Sequence, residues 1–154
     1  MTGMIGSEMA GLKKEHIHGG FIYVRDSIVR GVARIGELKT EYRRREIPIT
    51  SALRERLDRA IQRGNGSYIF SMEDGEHFNI NSFRKTPWSK ALDKAGAKYR
   101  HTYTTRHSFA EWCLIGGIHP ERLIRLLGHG SKQMVYEVYG KYVKDIGKDT
   151  GQIR

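Results

Sequence analysis

Apolar residues fall into two textures along this chain. Between Ile17 and Thr50 they come in short β-prone runs, and after Thr50 they recur at helical spacing. The runs are Phe21-Ile22-Tyr23-Val24, Val32-Ala33-Arg34-Ile35-Gly36 and Arg45-Glu46-Ile47-Pro48-Ile49, punctuated by Gly31, Gly36 and the polar stretch Thr40 to Arg44. That pattern predicts three short antiparallel strands. Pro48 has no amide hydrogen to give a ladder, so it belongs at an edge or a strand end. Ahead of the strands, residues 1–15 read as a short helix with Met4, Met9 and Leu12 on its apolar side.

Thr50 or Ser51 can cap a helix over 52–63, where Leu53, Leu57, Ala60 and Ile61 recur on one face and Gly64-Asn65-Gly66 ends it. Tyr68-Ile69-Phe70 is a short extended piece. Asn81 starts a helical turn, and Pro87 fits the first position of a helix with Trp88, Ala91, Leu92 and Ala95 inward, closed by Gly96. A further helix over 104–115 carries Phe109, Ala110, Cys113 and Leu114 on one stripe and stops at Gly116-Gly117. Pro120 opens another, with Leu123, Ile124 and Leu127 buried and Gly128 as its stop; Ser131 caps the last, from Lys132 to Val138 or beyond. Trp88, Trp112 and Met134 read as core. The expected class is α+β, mainly α: a helical domain with a small three-stranded antiparallel sheet near its start.

At 154 residues the chain is one domain's worth, long enough to bury roughly two-thirds of its unfolded surface. Hydrophobic residues make up 38% and charged residues 29%, and no run approaches the ~20 apolar residues of a membrane span. No membrane partner is expected. Cys113 is the single cysteine, which excludes an internal disulfide framework and a cysteine-based zinc site within one chain. A reducing compartment, most simply the cytoplasm, follows as the expectation. Charge changes the picture more. Lys and Arg number 27 against 17 Asp and Glu, a formal +10, and the pI is near 9.9. Such a balance points to a polyanionic partner, with nucleic acid the default, but does not separate a binder from an enzyme.

Five positions stand out for chemistry: Lys39, Tyr103, Arg106, His129 and Tyr139. Lys39 sits at the turn between the second and third strands. Tyr103 and Arg106 lie three apart, on one side of a helix. His129 ends Leu126-Leu127-Gly128-His129, and Tyr139 follows within Val138-Tyr139-Gly140-Lys141-Tyr142. Each has an ordinary reading: surface cations for Lys39 and Arg106, half-buried aromatics for Tyr103 and Tyr139, a helix C-terminal cap for His129. His107 reads as structural.

As an ordered set the residues say more. Arg106-His107-Ser108-Phe109-Ala110, then Leu127-Gly128-His129, then Tyr139-Gly140 resembles the C-terminal signature of the tyrosine recombinases, the phage integrases. Upstream, Lys39-Thr40 followed by Arg45-Glu46-Ile47-Pro48 resembles the family's lysine hairpin, and Thr2-Gly3-Met4 with Ser7-Glu8 resembles its first arginine box. The likeness covers residues 2 to 143 in family order.

The resemblance implies DNA strand breaking and rejoining through a 3′-phosphotyrosine, with no metal and no cofactor. Tyr139 would be the nucleophile, Lys39 the general acid, Arg106 the phosphate clamp and His129 a donor to the phosphate. Tyr136 and Tyr142 fit the nucleophile's spacing less well. Tyr103 stands where the family most often has histidine; it can donate a hydrogen bond but is no neutral-pH proton shuttle. These groups suit the chemistry. A phosphodiester repels nucleophiles, a guanidinium fork offsets its charge in the transition state, and an ammonium can protonate the departing oxygen.

One position departs from the pattern. Thr2-Gly3-Met4-Ile5 places isoleucine where the family's first arginine belongs. Glu8, which would brace that arginine, is present, and Lys13 and Lys14 are the nearest cations in the same segment. Impaired catalysis is expected, the alternative being a DNA-binding remnant of an integrase without catalysis. The resemblance further implies that residues 1–154 form a single catalytic domain without the family's N-terminal core-binding domain. Duplex DNA and other recombinase protomers on DNA are the implied partners.

Overall fold

The computed structural model describes residues 1–29, 32–34, 43–64, 66–72 and 77–128, with 32–34 as backbone alone. Five strands are present: β1 (Ile17–His18), β2 (Phe21–Val24), β3 (Ser27–Val29), β4 (Val32–Arg34) and β5 (Arg45–Pro48). Antiparallel β1-β2-β5 form a three-stranded sheet, and β3-β4 a separate two-stranded one. Residues 32–34 therefore pair with β3 and not with the larger sheet, whose third strand is the unforeseen β1. Gly19 and Gly20 explain it. Both have positive φ, 58° and 82°, the conformation a two-residue hairpin turn needs, and so the chain folds back from β1 directly into β2. Pro48 lies at the end of β5, as expected.

Ile22 pairs with Ile17 on one side and Ile47 on the other. Ile22, Val24 and Ile47 pack with Met4, Leu12, Leu53, Leu57 and Ile69 into the larger core cluster. Helix α1 (Gly6–Ala10) and helix α2 (Ser51–Arg63) flank it. Thr50 caps α2, its Oγ1 accepting from the Leu53 amide at 3.3 Å. A second cluster joins helix α5 (Thr104–Ile115) to α6 (Pro120–Leu127) through Ala110, Leu114, Leu123 and Leu127. The stripe that faces inward on α5 is Arg106, Ala110 and Leu114. Trp112 lies two residues off that stripe, about 200° around the helix, and is 70% exposed; it is not a core residue.

Between these halves, α3 (Ile80–Phe83) runs through a π-helical turn (Arg84–Trp88) into α4 (Ser89–Lys94). Asn79 caps α3, its Oδ1 accepting from the amides of Asn81 and Ser82. Pro87 sits inside the π turn and not at a helix start. A wider turn there accommodates the hydrogen bond that proline cannot make. Trp88 and Leu92 are only half-buried, and Ala91 and Ala95 are exposed, so the expected inward face of this helix is not a core face. The expected helix after Ser131, with Met134, lies outside the described residues.

His16 is 5% exposed. Its Nδ1 accepts from the Lys13 amide at 3.2 Å, and its Nε2 lies 3.7 Å from Asp26. Burial holds the imidazole below its ordinary value, with Asp26 opposing the shift. The folded state therefore keeps His16 neutral where the unfolded chain, titrating near 6.5, takes up a proton. Stability from this residue is complete above about pH 6.5 and falls as the pH drops through the lowered folded value. Thermal unfolding at stepped pH should show His16→Gln losing less stability than the parent chain between pH 7.5 and pH 5; equal losses would refute the assignment.

Candidate active site

Gly3 is the hinge on which the site is built. Its φ is +64°, and a Cβ there would stand 2.6 Å from Cδ1 of Phe109 and 2.8 Å from Cδ2 of Leu127. Only glycine lets the first residues lie this close to α5 and α6. The Gly3 carbonyl thereby meets Arg106 Nη1 at 2.5 Å, while Arg106 Nη2 donates to the Leu127 carbonyl, also at 2.5 Å. Two backbone oxygens from distant parts of the chain fix the plane of one guanidinium. Arg106 is 5% exposed.

Tyr103 stands at the N-cap of α5, 40% exposed, with its ring edge-on to His107 at 5.1 Å. His107 thus packs against Tyr103, in keeping with a structural role. Arg106, Tyr103 and Ile5 all line one cavity of about 410 Å³, with Phe83, Arg84 and His101 on its other walls. The side chain of position 5 therefore shares a cleft with the arginine and tyrosine singled out in the sequence. Lys39, His129 and Tyr139, with Tyr136 and Tyr142, lie outside the described residues.

Glu8 does not wait for a guanidinium at position 5. Arg45 supplies one from β5, Nη1 and Nη2 donating to the two carboxylate oxygens at 2.9 and 2.8 Å. Both side chains are buried, at 4% and 2% exposure. The Glu8 carboxylate also accepts from the Ile5 amide at 3.0 Å, and Arg45 Nε donates to the Leu126 carbonyl at 2.7 Å. Arg45 is the site residue that the sequence reading passed over. Strand alternation held the signal: Arg45 and Ile47 share the buried face of β5, with Glu46 and Pro48 outward, and a cation on a core face demands a buried partner.

Lys13 and Lys14 are elsewhere. Lys13 Nζ pairs with Asp26 at 3.3 Å, Lys14 Nζ reaches the Gly64 carbonyl at 3.4 Å, and neither lines the cleft. Burial pushes the Cys113 thiol up, which disfavours its reactive thiolate. Among the described residues no group of His, Cys, Asp or Glu could hold a metal ion, and no helix is long and apolar enough to cross a membrane.

The helical domain with its small sheet, and an arginine box packed against α5 and α6, define a tyrosine-recombinase catalytic fold. The phage integrase family model matches residues 1–144, and the chain belongs to that family. Among curated proteins it is similar to IntQ of Escherichia coli (strain K12), 38% identical over 71 residues, a stretch covering 46% of this chain and 18% of that protein. Prophage integrase IntR of the same organism is 40% identical over 62 residues, covering 40% and 15%. Among solved structures the fold is similar to the Tn1549 transposon integrase in complex with circular intermediate DNA, with a TM-score of 0.77, 21% identity, and 90% of this chain matched to 51% of that one. The XerA recombinase matches 99% of this chain and 54% of its own, with a TM-score of 0.73 and 18% identity. The chain spans about half the length of these solved structures.

Two substitutions test the frame. Gly3→Ala should destabilise by about 2–4 kcal/mol, from backbone strain plus overpacking against Phe109 and Leu127, visible as a lowered midpoint in denaturant. Glu8→Gln or Arg45→Met should each cost about 3–5 kcal/mol, because the remaining charge is stranded in the interior. The double variant should cost less than the two singles added together. Strict additivity would mean the pair is not coupled.

Proposed function

We propose that this chain is the catalytic part of a site-specific DNA recombinase that breaks and rejoins strands through a 3′-phosphotyrosine. The observation that carries the reading is the convergence of Arg106, Tyr103 and position 5 on one cavity, with Arg106 locked in plane by two carbonyls. A preoriented guanidinium offsets charge on the non-bridging phosphate oxygens at no reorganisation cost during reaction. Tyr103, which lines the cleft, adds a hydroxyl donor. In this reading Tyr139 attacks phosphorus and the 5′ oxygen departs, protonated by Lys39, while His129 donates to a phosphate oxygen. The covalent phosphotyrosine conserves the bond energy, so that rejoining requires no added energy source. Duplex DNA is the substrate, and other protomers on that DNA are the partners.

Ile5 favours a second reading, a DNA-binding remnant with weak or no catalysis. The loss of one preorganised donor costs about 10²–10³ in rate, and Glu8 is already engaged by Arg45.

A duplex nicked near the cleavage point traps the covalent adduct and separates the two. Ile5→Arg should raise adduct formation by about 10²-fold or more, with the gain in cleavage rate and not in affinity. Tyr139→Phe in that background should abolish the adduct. An adduct that survives Tyr139→Phe would overturn the assignment of the nucleophile. No adduct with Ile5→Arg at saturating DNA and low salt would leave the remnant as the function. Binding to plain duplex should weaken steeply as salt rises, since it rests on phosphate contacts.

A further inference from the structure

The cleft holds a second guanidinium. Arg84, half-buried in the π turn between α3 and α4, lines the same cavity as Ile5 and Arg106. Among the described residues no carboxylate pairs with it, whereas Arg45, Arg54 and Arg59 each have one. Its partners are a ring and an amide: Nη1 lies 2.8 Å from His101 Nε2, and Nη2 lies 3.4 Å from Asn81 Oδ1.

The contact with His101 is contested. The Tyr103 amide donates to His101 Nδ1 at 3.2 Å, so Nδ1 supplies the lone pair. A neutral imidazole has only one such nitrogen, and its proton then sits on Nε2. Arg84 has only donors to offer. In the tautomer that accepts from the Tyr103 amide at Nδ1, Arg84 Nη1 and His101 Nε2, 2.8 Å apart, both present N–H groups to the same point. A protonated ring is worse, having no lone pair for either donor. An anionic oxygen at the mouth of the cavity resolves the conflict, since it accepts from Arg84 and from His101 Nε2 together while the Tyr103 amide keeps Nδ1.

We propose that Arg84 and His101 form a phosphate-binding pair in this cleft, with Arg84 supplying the second guanidinium that Ile5 removes from the arginine box. The ligand class is a phosphodiester of duplex DNA, so the inference rests on the reading given under Proposed function. Lys13 and Lys14, the other candidates to replace the missing cation, are turned to Asp26 and Gly64. The π turn gives Arg84 its place: the wider turn required by Pro87 begins at this residue.

A double-mutant cycle on the full chain tests the proposal, with a plain duplex as probe and salt-dependent affinity as readout. Arg84→Ala should weaken binding about tenfold in the parent chain, as expected for a charged hydrogen bond to phosphate. In the Ile5→Arg background the same change should cost under about threefold, because the restored side chain shares the load. Arg84→Gln serves as the alternative if Arg84→Ala fails to fold, and unchanged thermal unfolding certifies the variants. An equal loss in both backgrounds would make Arg84 a generic surface charge and overturn the pair while leaving the DNA reading intact. Parent-chain binding that is indifferent to salt would sink the DNA reading, and the pair with it.

Discussion

The ion pair between Glu8 and Arg45 holds three separate pieces of the chain to one point. Glu8 belongs to α1, Arg45 to β5, and the Leu126 carbonyl that receives Arg45 Nε lies in α6. None of these elements is long, and α1 has only five residues, too few to persist alone in water. Burying two charges is costly, and the bidentate geometry with extra backbone bonds is what offsets that cost. The result is a directional joint where greasy contacts alone would allow sliding.

Arg106 repeats the device one residue further along. Arg45 takes the carbonyl of Leu126 and Arg106 that of Leu127. Successive carbonyls at the C-terminal end of α6 are thus spoken for by two guanidiniums, where helix ends otherwise leave acceptors to solvent. Gly128 then turns left-handed at φ +66°. Helix α6 thus ends at a fixed position. Arginine suits this work because it stays charged and presents several donors in a rigid plane.

How much of this was readable beforehand follows from periodicity. Helices α2, α5 and α6 were legible, since Leu53 and Leu57, Ala110 and Leu114, and Leu123 and Leu127 are spaced as inward faces must be. Strand order was not: Ile17–His18 is too short to register as a run, and only the Gly19-Gly20 turn reveals it. Pro87 was misplaced because a π turn leaves no mark in the pattern beyond the proline itself. Tyr103, Arg106 and the isoleucine at position 5 stood out through ordered motifs, and they do share a cavity. Arg45 lies within the motif Arg45-Glu46-Ile47-Pro48, and only its place on the buried face of a strand shows that it needs a partner. The pairing of Glu8 with Arg45 joins residues 37 apart, which sequence adjacency does not reveal.

The bond from Arg106 to the Gly3 carbonyl links residues 103 apart in the chain. Closing so long a loop is slow and entropically costly, and it cannot happen until α5 has been synthesised. A growing chain on the ribosome therefore carries its arginine box, until the residue 103 positions later has been added, with no cleft to belong to. Detachment of Gly3 from α5 would remove one of the two carbonyls that hold Arg106 in plane. The cleft is thus a late event in the life of the molecule, since the loop that closes it must exist before it can close.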